Sequence, residues 1–68
     1  MVENMQLARR IRAFRKLKGF TQKQLADDLS VSLAVLGEME RGIRTVDQHI
    51  LIEIAEVIGV GMEELQNA

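Results

Sequence analysis

The 68 residues contain no cysteine, proline, tryptophan or tyrosine. Without cysteine, disulfide staples and thiolate metal sites are excluded. The two aromatic residues are Phe14 and Phe20, so any core must be built from aliphatic side chains. No apolar run approaches the roughly 18 residues of a membrane span, and Met1–Gln6 lacks the apolar stretch of a signal peptide. Both absences predict a soluble protein of the cytoplasm. Catalytic signatures are missing as well. The only histidine, His49, has no second ligand near it in sequence. The adjacent pairs Asp27-Asp28 and Glu63-Glu64 would diverge around a helix rather than meet as a dyad. There is no glycine-rich phosphate loop, nucleophile elbow or metal-ligand spacing. The chain therefore reads as a non-enzyme with no metal and no cofactor.

What is present is an aliphatic, strongly polarised chain. Apolar residues make up 47%, enough for one core, and residues 1–68 read as a single domain. At this size a chain buries about 60% of the surface its unfolded form exposes, so it folds alone with little margin. The overall charge of −1 hides a segregation. Residues 1–24 carry seven Lys or Arg against one acid, and residues 25–68 carry two against nine. Such asymmetry suggests a polyanionic partner for one face, although a solvated basic helix would give the same pattern.

Local signals divide the chain into five helices, at about 5–18, 21–29, 33–41, 48–58 and 62–66. In the first, Leu7, Ile11, Phe14 and Leu17 form one apolar stripe; Arg9, Arg12 and Lys16 lie on the other side, and Gly19 ends it. Thr21 and Gln24 make a capping box for the second, whose core face is Leu25, Ala26 and Leu29. Ser32 caps the third, with Leu36 and Met39 pointing inward and Gly42 as its stop. Asp47 caps the fourth, which buries Ile50, Leu51, Ile54, Ala55 and Ile58 and stops at Gly59. Acidic Glu63 and Glu64 suit the positive end of the fifth. No room is left for a sheet, so the fold class is all-α. The second and third helices, joined by about three residues, make a helix-turn-helix unit.

The residues themselves go further. Arg10-Ile11-Arg12-x-x-Arg15-x-x-x-Gly19-Phe20-Thr21-Gln22-x-x-Leu25-Ala26 resembles the opening of the Cro/C1-type (XRE-like) helix-turn-helix family of phage repressor-like regulators. Val31-Ser32 and Met39-Glu40-Arg41-Gly42 resemble the bounds of its third helix. Leu51-x-x-Ile54-Ala55-x-x-Ile58-Gly59-Val60, followed by Glu64-Leu65, resembles its fourth and fifth. The likeness spans about Leu7–Leu65. It implies a compact five-helix, lambda-repressor-like domain acting as a sequence-specific transcriptional regulator on double-stranded DNA. It also implies that Gln22 touches the DNA backbone, with Lys23 adding charge beside it. Leu33, Ala34, Gly37 and Glu38 would face base edges, Arg41 and Arg44 would lie on phosphate, and Arg15 and Glu40 would pair across the first and third helices.

The chain departs from the family at several positions. The base-facing positions are apolar or acidic where glutamine, serine, threonine or a cation is usual. Ser30 replaces the turn glycine, and Val46 replaces a loop proline. Two readings stay open. One is a DNA-binding regulator, acting as a homodimer because one helix reads only a half-site, with Ile52, Val57 and Met62 as candidate dimer residues. The other is a protein-interaction module that keeps the fold and engages a protein partner through the third helix or the C-terminal helices.

Overall fold

The computed structural model describes residues 2–67 as five helices: α1 (Val2–Leu17), α2 (Gln22–Leu29), α3 (Leu33–Glu40), α4 (Gln48–Ile58) and α5 (Met62–Asn67). The sequence pattern places all five. The boundary differences are small: α1 begins at Val2 rather than Met5, and Arg41 caps α3 instead of belonging to it. Among the described residues there is no strand, and no helix is long and apolar enough to cross a membrane.

The helix starts follow from local chemistry. Gln24 N–H donates to Thr21 Oγ1 at 3.0 Å, while Thr21 N–H donates to Gln24 Oε1 at 2.9 Å, completing the capping box. Ser32 accepts from Val35 N–H at 3.0 Å, and Asp47 accepts from Ile50 N–H at 2.9 Å. Each bond satisfies an amide that the first helical turn leaves without a partner.

The ends of α1, α2 and α3 share one device. A residue in the left-handed region is followed by an apolar residue whose N–H reaches back into the helix. The long bonds are Phe20 N–H to Arg15 O, Val31 N–H to Ala26 O and Ile43 N–H to Glu38 O, at 2.9, 3.0 and 3.1 Å. Val60 N–H closes α4 on Ala55 O at 3.0 Å in a related way. At Gly42 (φ 80°) glycine is favoured on two grounds. The backbone is left-handed, and a Cβ would collide with the Met5 sulfur where α1 passes over the turn. Ser30 does the same work with a side chain present, at φ 59° and ψ 37°.

A side chain in that region costs roughly 1–2 kcal/mol, offset in part by the lower entropy of a non-glycine unfolded chain. Ser30→Gly should therefore raise the unfolding free energy by about 1 kcal/mol, as read by urea denaturation. A loss of stability would mean that the greater entropy of the unfolded glycine chain outweighs the strain.

Fully buried Ile11, Leu25, Leu36, Ile54 and Leu65 come one from each helix and form the centre of the core. α2 packs on α3 and α4, α1 packs on α3, α4 and α5, and α4 packs on α5. The apolar stripe expected along α1 needs one correction. Leu17 is 75% exposed, and the buried line runs through Ala8, Ile11 and Arg15. At about 100° per residue, Leu17 lies roughly 120° around the helix from Ile11.

Candidate nucleic-acid interface

α2 and α3 are both eight residues long, joined by Ser30–Ser32. α3 buries Leu36 and Met39 and leaves Leu33 (51% exposed) and Ala34 facing out. One polar assembly fixes this unit against α1. Arg15 holds Glu40 through two bonds, Nε to Oε2 at 2.6 Å and Nη2 to Oε1 at 3.1 Å. Its Nη1 donates to Phe20 O at 2.8 Å, in the turn before α2. Gln22 Nε2, on the first residue of α2, also donates to Glu40 Oε1, at 3.0 Å. The expected Arg15–Glu40 pair is thus present, and it is buried. It places the start of α2 and the end of α3 at a fixed separation.

The sequence-derived site residues fall into three groups. Leu33, Ala34, Lys23, Arg41 and Arg44 are exposed, and Glu38 is half-exposed. Lys23 pairs with Asp27 at 3.4 Å and Arg44 Nε with Glu38 Oε1 at 2.7 Å. Exposed pairs of this kind are worth about 1 kcal/mol or less, so a phosphate can displace either partner. Gln22 is half-buried; one amide hydrogen goes to Glu40 and one remains to donate elsewhere.

Gly37, expected at a base edge, is buried here, and a Cβ built on it would stand 3.2 Å from Arg41 Nη1. Arg41, one turn further on, lies back over the helix and covers it.

Two features escape the sequence pattern. Arg10 Nη1 donates to Leu65 O at 3.2 Å and Gln66 O at 2.6 Å, tying α1 to carbonyls at the C-terminal end of α5. Lysines and arginines near a helix C-terminus are the only signal for such a bond, and no spacing rule links positions so far apart. Of the three candidate dimer residues, Ile52 is exposed at 41%, whereas Val57 and Met62 pack on the core. Among the described residues no group of three His, Asp or Glu side chains could hold a metal ion.

A short helix pair with an outward second helix, braced by a first helix, has the arrangement of a helix-turn-helix domain. The helix-turn-helix family HTH_3 matches residues 11–65. The chain belongs to this Cro/C1-type family and is a DNA-binding transcriptional regulator. Among its relatives is YazB of Bacillus subtilis strain 168, an uncharacterized HTH-type transcriptional regulator. The two are 49% identical over 57 residues, covering 84% of this chain and 83% of YazB. The fold is similar to that of the restriction-modification controller protein C.AhdI from Aeromonas hydrophila. There the TM-score is 0.88 at 26% identity, over 96% of this chain and 98% of that one. The DNA-binding domain of BldD gives a TM-score of 0.84 at 30% identity, over 96% and 94% of the two chains.

Proposed function

We propose that the chain binds operator DNA as a homodimer in the cytoplasm, each subunit laying α3 in the major groove. Gln22, Lys23, Arg41 and Arg44 hold phosphates, and Leu33, Ala34 and Glu38 meet base edges. The outward Leu33–Ala34 face of α3, with exposed Lys23 before it in sequence and exposed Arg41 and Arg44 after it, carries this proposal. Dimerisation is supported by the exposed Ile52 and by the gain in contacts on a two-fold operator.

Methyl-bearing Leu33 and Ala34 can contact the C5 methyl of thymine, and Glu38 can accept from cytosine N4. Arginine-to-guanine readout has no residue to perform it on this face, so specificity leans on thymine and on DNA shape. Glu38 also sits under the Arg44 guanidinium. Glu38→Gln removes a repulsion from the phosphates and frees Arg44 to reach one. The expected result is several-fold tighter binding to a selected and a scrambled duplex alike, with any cytosine preference relaxed. In an Arg44→Ala background the gain should shrink, because half of its cause is gone.

Titrating the selected duplex against salt tests the whole proposal. Wild type should show a steep loss of affinity with salt, and Arg44→Ala should flatten the slope by about one. Leu33→Ala should weaken sites with thymine opposite it. If Leu33→Ala abolishes a protein complex and leaves DNA affinity untouched, α3 serves a protein partner instead.

A further inference from the structure

Met5 sits where α1 crosses the turn that closes α3. Its sulfur occupies the place a Cβ on Gly42 would need, and its Cα stands 3.5 Å from that point. The contact therefore involves the backbone of α1 and not only a flexible side-chain tip. Met5 is nevertheless 42% exposed. It lines a groove of about 610 Å³ together with Arg9, Arg12, Lys16 and Arg41. Two other methionines are placed differently. Met39 is 3% exposed inside the core, and Met62 packs against the core, half-buried. A thioether that is both accessible and seated on the turn after α3 has a chemistry that DNA binding does not use.

That chemistry is oxygen transfer. A thioether sulfur is a weak acceptor, whereas a sulfoxide is polar and its oxygen accepts hydrogen bonds. Arg9 stands one turn along α1 from Met5, at the i, i+4 spacing that brings side chains together. Arg41 immediately precedes Gly42 in the chain. Both arginines are exposed and line the same groove. On the Gly42 side the sulfur already fills the space against the turn, so an added oxygen projects toward the groove. There it meets N–H donors with little competition, because the Glu40 carboxylate in the groove wall is held by Arg15 and Gln22.

We propose that Met5 is an oxidation site through which hydrogen peroxide lowers the affinity of this chain for DNA. The sulfur lone pair attacks one peroxide oxygen and the O–O bond breaks. The proton on the transferred oxygen passes to the departing hydroxide, leaving a sulfoxide and one water. Sulfur gives up two electrons and the peroxide takes them. The sulfoxide oxygen then accepts from the Arg41 guanidinium and holds it in the groove, away from phosphate. The inference rests on the role proposed above for Arg41 and adds a means of regulating it. Methionine sulfoxide reductases reverse the step, so the device can be reset.

The test treats the full chain with hydrogen peroxide, locates the added oxygen by peptide mass spectrometry, and measures duplex affinity across a salt series. Met5 should gain oxygen well before Met39 and Met62. Binding should weaken for a selected and a scrambled duplex alike, and the salt slope should flatten by about one, as for the loss of one phosphate contact. Treatment with the two sulfoxide reductases, one for each epimer, should restore both. M5L keeps Met1, Met39 and Met62 and conserves volume, so it should bind like untreated wild type and stay unchanged by peroxide. M5Q places an acceptor of similar length at the site and should bind like the oxidised protein without treatment. In an Arg41→Gln background peroxide should flatten the slope no further. Equal losses in wild type and M5L, or an oxidised Met5 with an unaltered slope, would overturn the proposal and leave DNA binding in place. A collapse of the thermal midpoint on oxidation would assign the loss to unfolding and overturn the Arg41 contact. If untreated wild type binds no duplex in a salt-dependent way, the DNA-binding orientation fails and the switch falls with it.

Discussion

Glu40→Ala should cost about 3–5 kcal/mol of unfolding free energy, because it strands a buried guanidinium. The Glu40 side chain is 2% exposed and that of Arg15 is 8%. Removing the carboxylate breaks both bonds of the fork and the Gln22 bond together. One bond from Arg15 to Phe20 O would remain, and one carbonyl does not balance a buried positive charge. A domain of this length has roughly 3–10 kcal/mol in hand, so the variant should be partly unfolded at room temperature. Urea denaturation at neutral pH measures the loss. The informative control is Arg15→Met combined with Glu40→Leu. Apolar replacement of a whole buried pair is often neutral or stabilising, so the double variant should be more stable than either single one. Should Glu40→Ala lose less than about 1 kcal/mol, the pair behaves as a surface bridge and the burial argument is wrong.

Leu65→Ala should cost about 2–5 kcal/mol and release α5 before the rest of the domain opens. Six residues cannot hold a helix in water unaided, since isolated helices below about 12–15 residues are marginal. α5 persists because Leu65, with no exposed surface, seats it on the core, and because Arg10 takes two of its last carbonyls. Trimming the side chain removes the first support and leaves a cavity in the core where α5 packs on α1 and α4. Amide hydrogen exchange should show α5 protection falling further than that of α2 or α3. Arg10→Gln should produce the same ordering with a smaller loss. Uniform loss of protection in every helix would show that α5 is not a separate docking unit.

The helix bounds were legible because they are local. Thr21 with Gln24, Ser32, Asp47 and the left-handed residues Gly19, Gly42 and Gly59 each act within a few positions of themselves. The resemblance supplied the Arg15–Glu40 pair, which spacing alone could not, since 25 residues separate the partners. Leu17 misled for a specific reason. Reading apolar residues alone skips Arg15, the charged residue that occupies the buried line one turn beyond Ile11. The resemblance implied a base-facing role for Gly37, and it carried no information about the arginine four residues on that lies over it. Arg10 opens the motif that resembles the family and adds one positive charge, and neither gives it a structural partner. Its role became visible when α5 came to lie beside α1.

The fork from Arg15 to Glu40 reaches Phe20 O directly and Gln22 through the shared carboxylate. These bonds couple the first residue of α2 to the last of α3. In the proposed binding mode such coupling leaves accommodation to the duplex: where the spacing between backbone contacts and groove does not suit relaxed B-form DNA, the DNA would have to bend or narrow. The stiffness of base steps that α3 does not touch would then enter the affinity, and two operators with identical contacted bases would differ through their uncontacted centre.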